Sequence, residues 1–167
     1  LTAQLSLDML GLAPGQTLAV TGAAGTYGAY VVELAKAAGL RVIADSSEAD
    51  EALVRSLGAD VVVRRGPDVA QRILEHAPGG VDGLADGAVQ NAEVLPAVRS
   101  GGGFATVRGW KGDDTSPVTV HHVWVREYAE EWEKLERLRE LVESGAVSLR
   151  VAGRFPDQSV SITSASA

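Results

Sequence analysis

The chain has 167 residues, 46% of them hydrophobic, enough for one well-buried domain, and no cysteine, which excludes disulfides, thiolate zinc sites and thiol nucleophiles and suits a reducing cytoplasm, the expected location. A formal charge of -7 repels a phosphate backbone, and no basic patch offsets it, so nucleic acid is not an expected partner. No apolar run approaches the roughly 20 residues that a bilayer crossing needs, and Leu1 to Gln4 carries no basic flank of a signal peptide, so no membrane partner is expected.

The first element is a helix from Leu1 to Leu12. The chain starts inside that helix without a Met, which suggests a piece of a longer protein. After the turn pair Pro14-Gly15, the run Thr17 to Thr21 reads as a strand, a cluster of glycines follows, and Tyr27 to Ala38 has helical spacing ended by Gly39. The alternation then repeats. Strands are expected at 40–44, 60–63, 81–85 and 104–107, and helices at 48–57, 68–76 and 90–98. Near-continuous apolar strands alternating with helices predict a parallel sheet covered on both faces. Residues 117–125 read as an extended segment and an edge at which two copies could pair. Residues 127–144 read as a charged helix whose stripe of Tyr128, Trp132, Leu135, Leu138, Leu141 and Val142 packs on the sheet, and 147–151 as a sixth strand. Residues 157–167 read as an irregular tail. The fold class is α/β, a doubly wound sheet of the Rossmann type with about six strands.

The chemistry concentrates between Val20 and Gly28. A dinucleotide pyrophosphate needs backbone N–H donors, the positive end of a helix dipole and no side chain in the way. Gly22 would make the tight turn, Gly25 the close approach, and Gly28 the close seat of helix on strand. Thr26 and Tyr27 would offer amides and a hydroxyl to the phosphates. Asp45, about 20 residues after Gly25, stands where an acid reads ribose hydroxyls. An acid there favours NAD, whereas Ser46, Ser47 and Arg65 could contact the 2'-phosphate of NADP. NADP(H) is slightly favoured, with NAD(H) left open.

The stretches Pro14 to Gln16, Gly22 to Gly28, Leu34 to Gly39 and Val54 to Asp60 resemble the medium-chain dehydrogenase/reductase superfamily, and its zinc-independent quinone oxidoreductase branch in particular. The resemblance covers residues 1–156 and implies the cofactor domain of a two-part enzyme whose GroES-like catalytic portion is not in this chain. It implies that Ala24, Gly25, Thr26 and Tyr27 hold the pyrophosphate and that Asp45 or Ser46 reads the adenosine ribose. Gly87, Ala88 and Val89, and Val107, Arg108 and Gly109, would line the path from adenine to nicotinamide, with Arg65 near the adenosine phosphate. The implied activity is hydride transfer between NADPH or NADH and a quinone, enone, aldehyde or ketone, with the isolated chain inactive or weakly active. Asp45 departs from a branch that mostly prefers NADPH, and the tail departs from the family's returning helix and strand.

Two other readings stay open. One is a non-catalytic module that binds dinucleotides for sensing or assembly. The other is a self-contained extended short-chain dehydrogenase, which shares the glycine spacing but pairs a Tyr with a Lys four positions on, a pattern that Tyr27, Tyr30 and Tyr128 do not match. His121 and His122 alternate faces on an extended segment and lack further ligands, so no metal is expected. His76 suits a helix C-terminus. An acid/base role for Asp82 and Asp86 is weakly indicated, and no serine sits in a strand-to-helix elbow.

Overall fold

The computed structural model describes residues 1–112, 115–128 and 130–149. The opening helix α1 (Thr2–Leu10) buries Ala3, Leu5, Ser6 and Leu10 and stops at Gly11, which takes the left-handed conformation that glycine adopts without steric cost. Five repeats of strand and crossover follow: β1 (Thr17–Thr21), α2 (Thr26–Ala37), β2 (Arg41–Ser46), α3 (Glu51–Ser56), β3 (Val61–Arg64), α4 (Val69–His76), β4 (Val81–Asp86), β5 (Val98–Thr106) and β6 (Thr119–His122), then α5 (Trp132–Glu143). The strands form one parallel sheet in the order β3-β2-β1-β4-β5-β6. Order reverses between β1 and β4, which opens a crevice at the carboxyl ends of those two strands.

Alternation along the strands divides the core. Leu18, Val20, Val42, Ala44, Ala85 and Ala105 face α1, α2 and α3, and Ala19, Ile43, Leu84 and Phe104 face α4 and the connection from β4 to β5. Helices therefore cover both faces, as expected.

Three local expectations are corrected. The helix expected at 90–98 is two 3₁₀ turns, Asn91–Glu93 and Leu95–Ala97. Pro96 has no N–H to continue an α-helix, and Val89 and Asn91 have left-handed backbones (φ 60° and 53°) that interrupt the approach. Strand β5 starts at Val98, not 104, because Gly101 to Gly103 are part of it rather than a loop. A Cβ at Gly103 would lie 2.8 Å from Leu10 Cδ2, and one at Gly102 2.9 Å from the Asp82 carbonyl, so α1 and β4 approach where only glycine fits. The sixth strand is β6, within the segment expected to be extended, and the described part of 147–151, residues 147–149, forms no strand. β6 lies beside β5, while Val147 is buried in the core and the Ser148 hydroxyl donates to Glu33 of α2 at 2.6 Å. Residues 150 and 151, and the tail at 157–167, lie outside the described residues.

The stripe of α5 packs differently from expectation. Leu138, Leu141 and Val142 pack against the core on the α1 and α2 side of the sheet, but Trp132 is 75% exposed and no residue of α5 is fully buried, so the first turn of the helix faces solvent. Lys134 and Tyr128 both bond Asp8 of α1, at 2.6 and 2.7 Å, fixing α5 to the outer layer.

Candidate functional site

The last residues of the central strands build the floor of the crevice. Thr21, Asp86 and Thr106 end β1, β4 and β5, Asp45 is the last residue but one of β2, all four lie on the α4 side of the sheet, and all are at most 2% exposed. Polar groups so buried need partners. Thr21 Oγ1 donates to Asp86 at 2.6 Å and accepts the Ala88 amide at 3.2 Å, and the other Asp86 oxygen accepts the Asn91 amide at 2.7 Å. Asp45 Oδ1 accepts the Gly22 amide at 2.7 Å and the Ala23 amide at 3.3 Å. Burial pushes the Asp45 carboxyl above the ordinary carboxylate value, opposed by the Ala23 and Gly22 amides and the charge of Arg65, and reinforced by the charge of Asp86.

Above this floor lies the glycine turn. Gly22 has φ 65°, and its carbonyl accepts the Gly25 amide at 2.9 Å. A Cβ at Gly22 would lie 2.9 Å from the Gly87 carbonyl carbon, and one at Gly28 only 2.4 Å from the Gly22 carbonyl oxygen. These two glycines are therefore requirements of packing. Gly25 differs: it is exposed, has an ordinary φ of -75°, and would seat a Cβ 3.2 Å from the Gly22 oxygen. Gly25 is the N-cap of α2, whose first intrahelical bond runs from the Ala29 amide to the Gly25 carbonyl, so the Thr26, Tyr27 and Gly28 amides are the first-turn donors at the positive end of the helix.

The side chains chosen from sequence fall into two groups. Gly22, Ala24, Gly25, Thr26, Tyr27 and Gly28 form the turn and helix start, with Gly87, Ala88 and Val89 across the crevice and Val107, Arg108 and Gly109 following β5. The Tyr27 hydroxyl, however, faces inward: it pairs with Ser6 of α1 at 2.7 Å, its ring lies against Gly87, and burial pushes its phenol up to about 12. Only its amide remains for an anion. At the end of β2, Asp45 and Ser46 are each only 2% exposed. Ser47 and Arg65 do reach the surface. The Arg65 amide bonds the Ser46 carbonyl at 2.9 Å, the Ser47 hydroxyl donates to Asp50 at 2.6 Å, and the Arg65 guanidinium lies 3.9 Å from the same Asp50 oxygen. Sequence reasoning missed Thr21, whose signal was a hydroxyl at the end of an otherwise apolar run.

Of the residues weighed for other chemistry, Asp86 lies in the crevice floor with both oxygens bonded, and Tyr128 and Asp82 lie elsewhere. The Tyr128 hydroxyl is taken by Asp8, and Asp82 lies at the opposite end of β4, bonded to the Thr17 amide and Arg99. Among the described residues no group of three or more His, Cys, Asp or Glu is placed to hold a metal ion, and no helix is long and apolar enough to cross a membrane. An apolar groove of about 450 Å³ opens beside the turn, with Thr26, Tyr27 and Tyr30 of α2, Val107 after β5, and Leu138 and Val142 of α5 in its walls.

A family profile described as zinc-binding dehydrogenase matches residues 27–131, from the first turn of α2 to the residue before α5. The chain belongs to this family. It is part of the medium-chain dehydrogenase/reductase superfamily that the motifs resemble. The chain is 31% identical over 110 residues to 2-methylene-furan-3-one reductase of Solanum lycopersicum, covering 65% of this chain and 27% of that protein. It superimposes on a mycobacterial quinone oxidoreductase with a TM-score of 0.79 at 26% identity, over 93% of this chain and 54% of that one. The quinone oxidoreductase of Thermus thermophilus, solved also as its complex with NADPH, gives a TM-score of 0.71 at 26% identity, over 84% and 49% of the two chains. Matches to curated relatives span only 24% to 33% of those proteins.

Proposed function

We propose that this chain is the NAD(P)-binding domain of an oxidoreductase that moves hydride between NADPH and a quinone, enone, aldehyde or ketone, without zinc. The observation that carries the reading is the exposed Gly25 with the first-turn amides of α2, set at the β1/β4 reversal of the sheet. The fit to a dinucleotide is local and steric. The turn offers donors and dipole to a pyrophosphate, and the single position that a ligand must approach, Gly25, is the one whose glycine the packing does not demand. Thr26, Tyr27 and Gly28 would donate their amides, Ala24 would border the same turn, and Gly87 to Val89 and Val107 to Gly109 would flank the two ends of the bound molecule.

The β2 end supports NADPH over NADH. With the Asp45 carboxylate turned into the protein, the acid that would repel a 2'-phosphate is withdrawn, while Ser47 and Arg65 stand at the surface. The nicotinamide supplies the hydride when bound, and the protein supplies orientation and exclusion of water. The apolar groove beside Thr26 and Tyr27 suits a quinone or enone better than a charged substrate. This chain aligns with about half of each of the two solved quinone oxidoreductases, so residues 1–156 are proposed as one of two parts, with weak or no turnover alone. The outer edge of β6 is the proposed contact between two copies, which sedimentation would test.

Calorimetric titration of the chain with NADPH and then NADH tests the reading, with Gly25→Trp as the control. Binding of NADPH more tightly than NADH, abolished in the control, is expected. Binding that survives in Gly25→Trp would put the dinucleotide elsewhere.

A further inference from the structure

We propose that Asp45 is a positioning residue that orders the glycine turn from beneath and does not read the cofactor ribose. The inference rests on the dinucleotide reading above only for its consequence in binding, since the ordering of the turn belongs to this chain alone. Asp45 is 2% exposed, and its Oδ1 is already shared by two amides of the turn, Gly22 at 2.7 Å and Ala23 at 3.3 Å, so the carboxylate is committed to the protein backbone. Hydrogen bonds to an ionised acceptor are stronger than neutral ones, and desolvation makes these more directional still.

The connectivity of the turn gives that anchor its reach. The Gly22 carbonyl accepts the Gly25 amide, and the same oxygen abuts Gly28, where a Cβ would come within 2.4 Å. Rotation of the Gly22 and Ala23 peptides would therefore carry the N-cap of α2 and the direction of its first-turn amides with it. The other wall is tied in the same way, through Asp86, Thr21 and the Ala88 and Asn91 amides. Asp45 thus holds the phosphate-facing side of the crevice and Asp86 the opposite side. Discrimination between the two dinucleotides falls to Ser47 and Arg65, outside the buried row.

Asp45→Asn keeps an oxygen that can accept both amides, whereas Asp45→Ala removes it. Amide hydrogen exchange of the chain without cofactor is the first readout. Gly22 and Ala23 should be protected in the wild type, nearly as protected in Asp45→Asn, and released in Asp45→Ala. Titration is the second. Asp45→Asn should bind NADPH and NADH within about threefold of the wild type, and Asp45→Ala should weaken both by the same factor, about ten- to a hundredfold. The ratio of the two affinities should stay constant through the series, which a ribose reader would not allow. If Asp45→Ala does not fold, wild-type protection and the Asp45→Asn ratio decide alone. A tenfold change of that ratio in Asp45→Asn, or unprotected Gly22 and Ala23 amides in the wild type, would overturn the proposal. Protected amides in a wild type that binds neither dinucleotide would defeat the proposed function and leave the role of Asp45 standing.

Discussion

Replacing Gly28 by Ala separates what the turn needs for folding from what it needs for a ligand. Helix propensity alone favours the change, by about 1 kcal/mol for Ala over Gly inside a helix. Packing opposes it. The new methyl would meet the Gly22 carbonyl oxygen at 2.4 Å, the Ala23 Cα at 2.7 Å and the Gly22 carbonyl carbon at 2.8 Å. All three are backbone atoms, and the Asp45 bonds to the same two residues resist their retreat. Overpacking of this kind costs about 1–3 kcal/mol, and the rigid backbone puts the cost at the upper end, leaving a net loss of about 2 kcal/mol. Urea unfolding at neutral pH measures it, and with a slope of about 2 kcal/mol per molar the midpoint should fall by about 1 M. Gly25→Ala is the contrast: at an ordinary φ of -75° and 3.2 Å from one oxygen it should cost only about 1 kcal/mol, the loss of a favourable N-cap residue, while weakening NADPH binding. A Gly28→Ala midpoint equal to or above that of the wild type would refute this account of the turn.

Thr21→Val removes the buried donor to Asp86 and the acceptor of the Ala88 amide, and should cost about 2–3 kcal/mol in the same assay, a loss under about 0.5 kcal/mol counting against the buried row. At the other end of the sheet, burial raises the Asp82 carboxyl, but the Thr17 amide, Arg99 and Gln16 together hold it below the usual carboxylate value of 3.8. The stabilisation this gives is therefore present above pH 3.8 and lost as pH falls through the folded-state value. Asp82→Asn should be less stable by about 1 kcal/mol at neutral pH, since the ion pair is partly exposed, and should show a shallower loss of stability in acid. Tyr27 has the opposite sign. Its folded-state value near 12 exceeds the ordinary 10, so the unfolded chain loses its proton first and this residue's contribution declines as pH rises from 10 to 12. Tyr27→Phe should remove that part of the alkaline slope, and an unchanged slope would show that the phenol is not buried against Ser6.

The sequence by itself determined the order of elements and the place of the turn. Apolar runs such as Thr17 to Thr21 and Val81 to Asp86, separated by segments with helical spacing, leave few arrangements other than parallel strands with crossovers. Gly22, Gly25 and Gly28 between strand and helix were legible for the same reason, because their spacing is local. Tertiary structure alone decided the rest. Gly101 to Gly103 look like a loop until α1 and β4 close on them and leave no room for side chains, so the start of β5 was hidden. Val147 reads as strand by composition, yet it is buried in the core while the next residue, Ser148, bonds Glu33 of α2, partners that only the tertiary structure brings to it. Asp45 shows the difference most sharply. Spacing set it at the end of β2, where an acid reads a ribose, but which way its carboxylate turns depends on the Gly22 and Ala23 amides one strand away, and those are brought to it only when β1 and β2 pair.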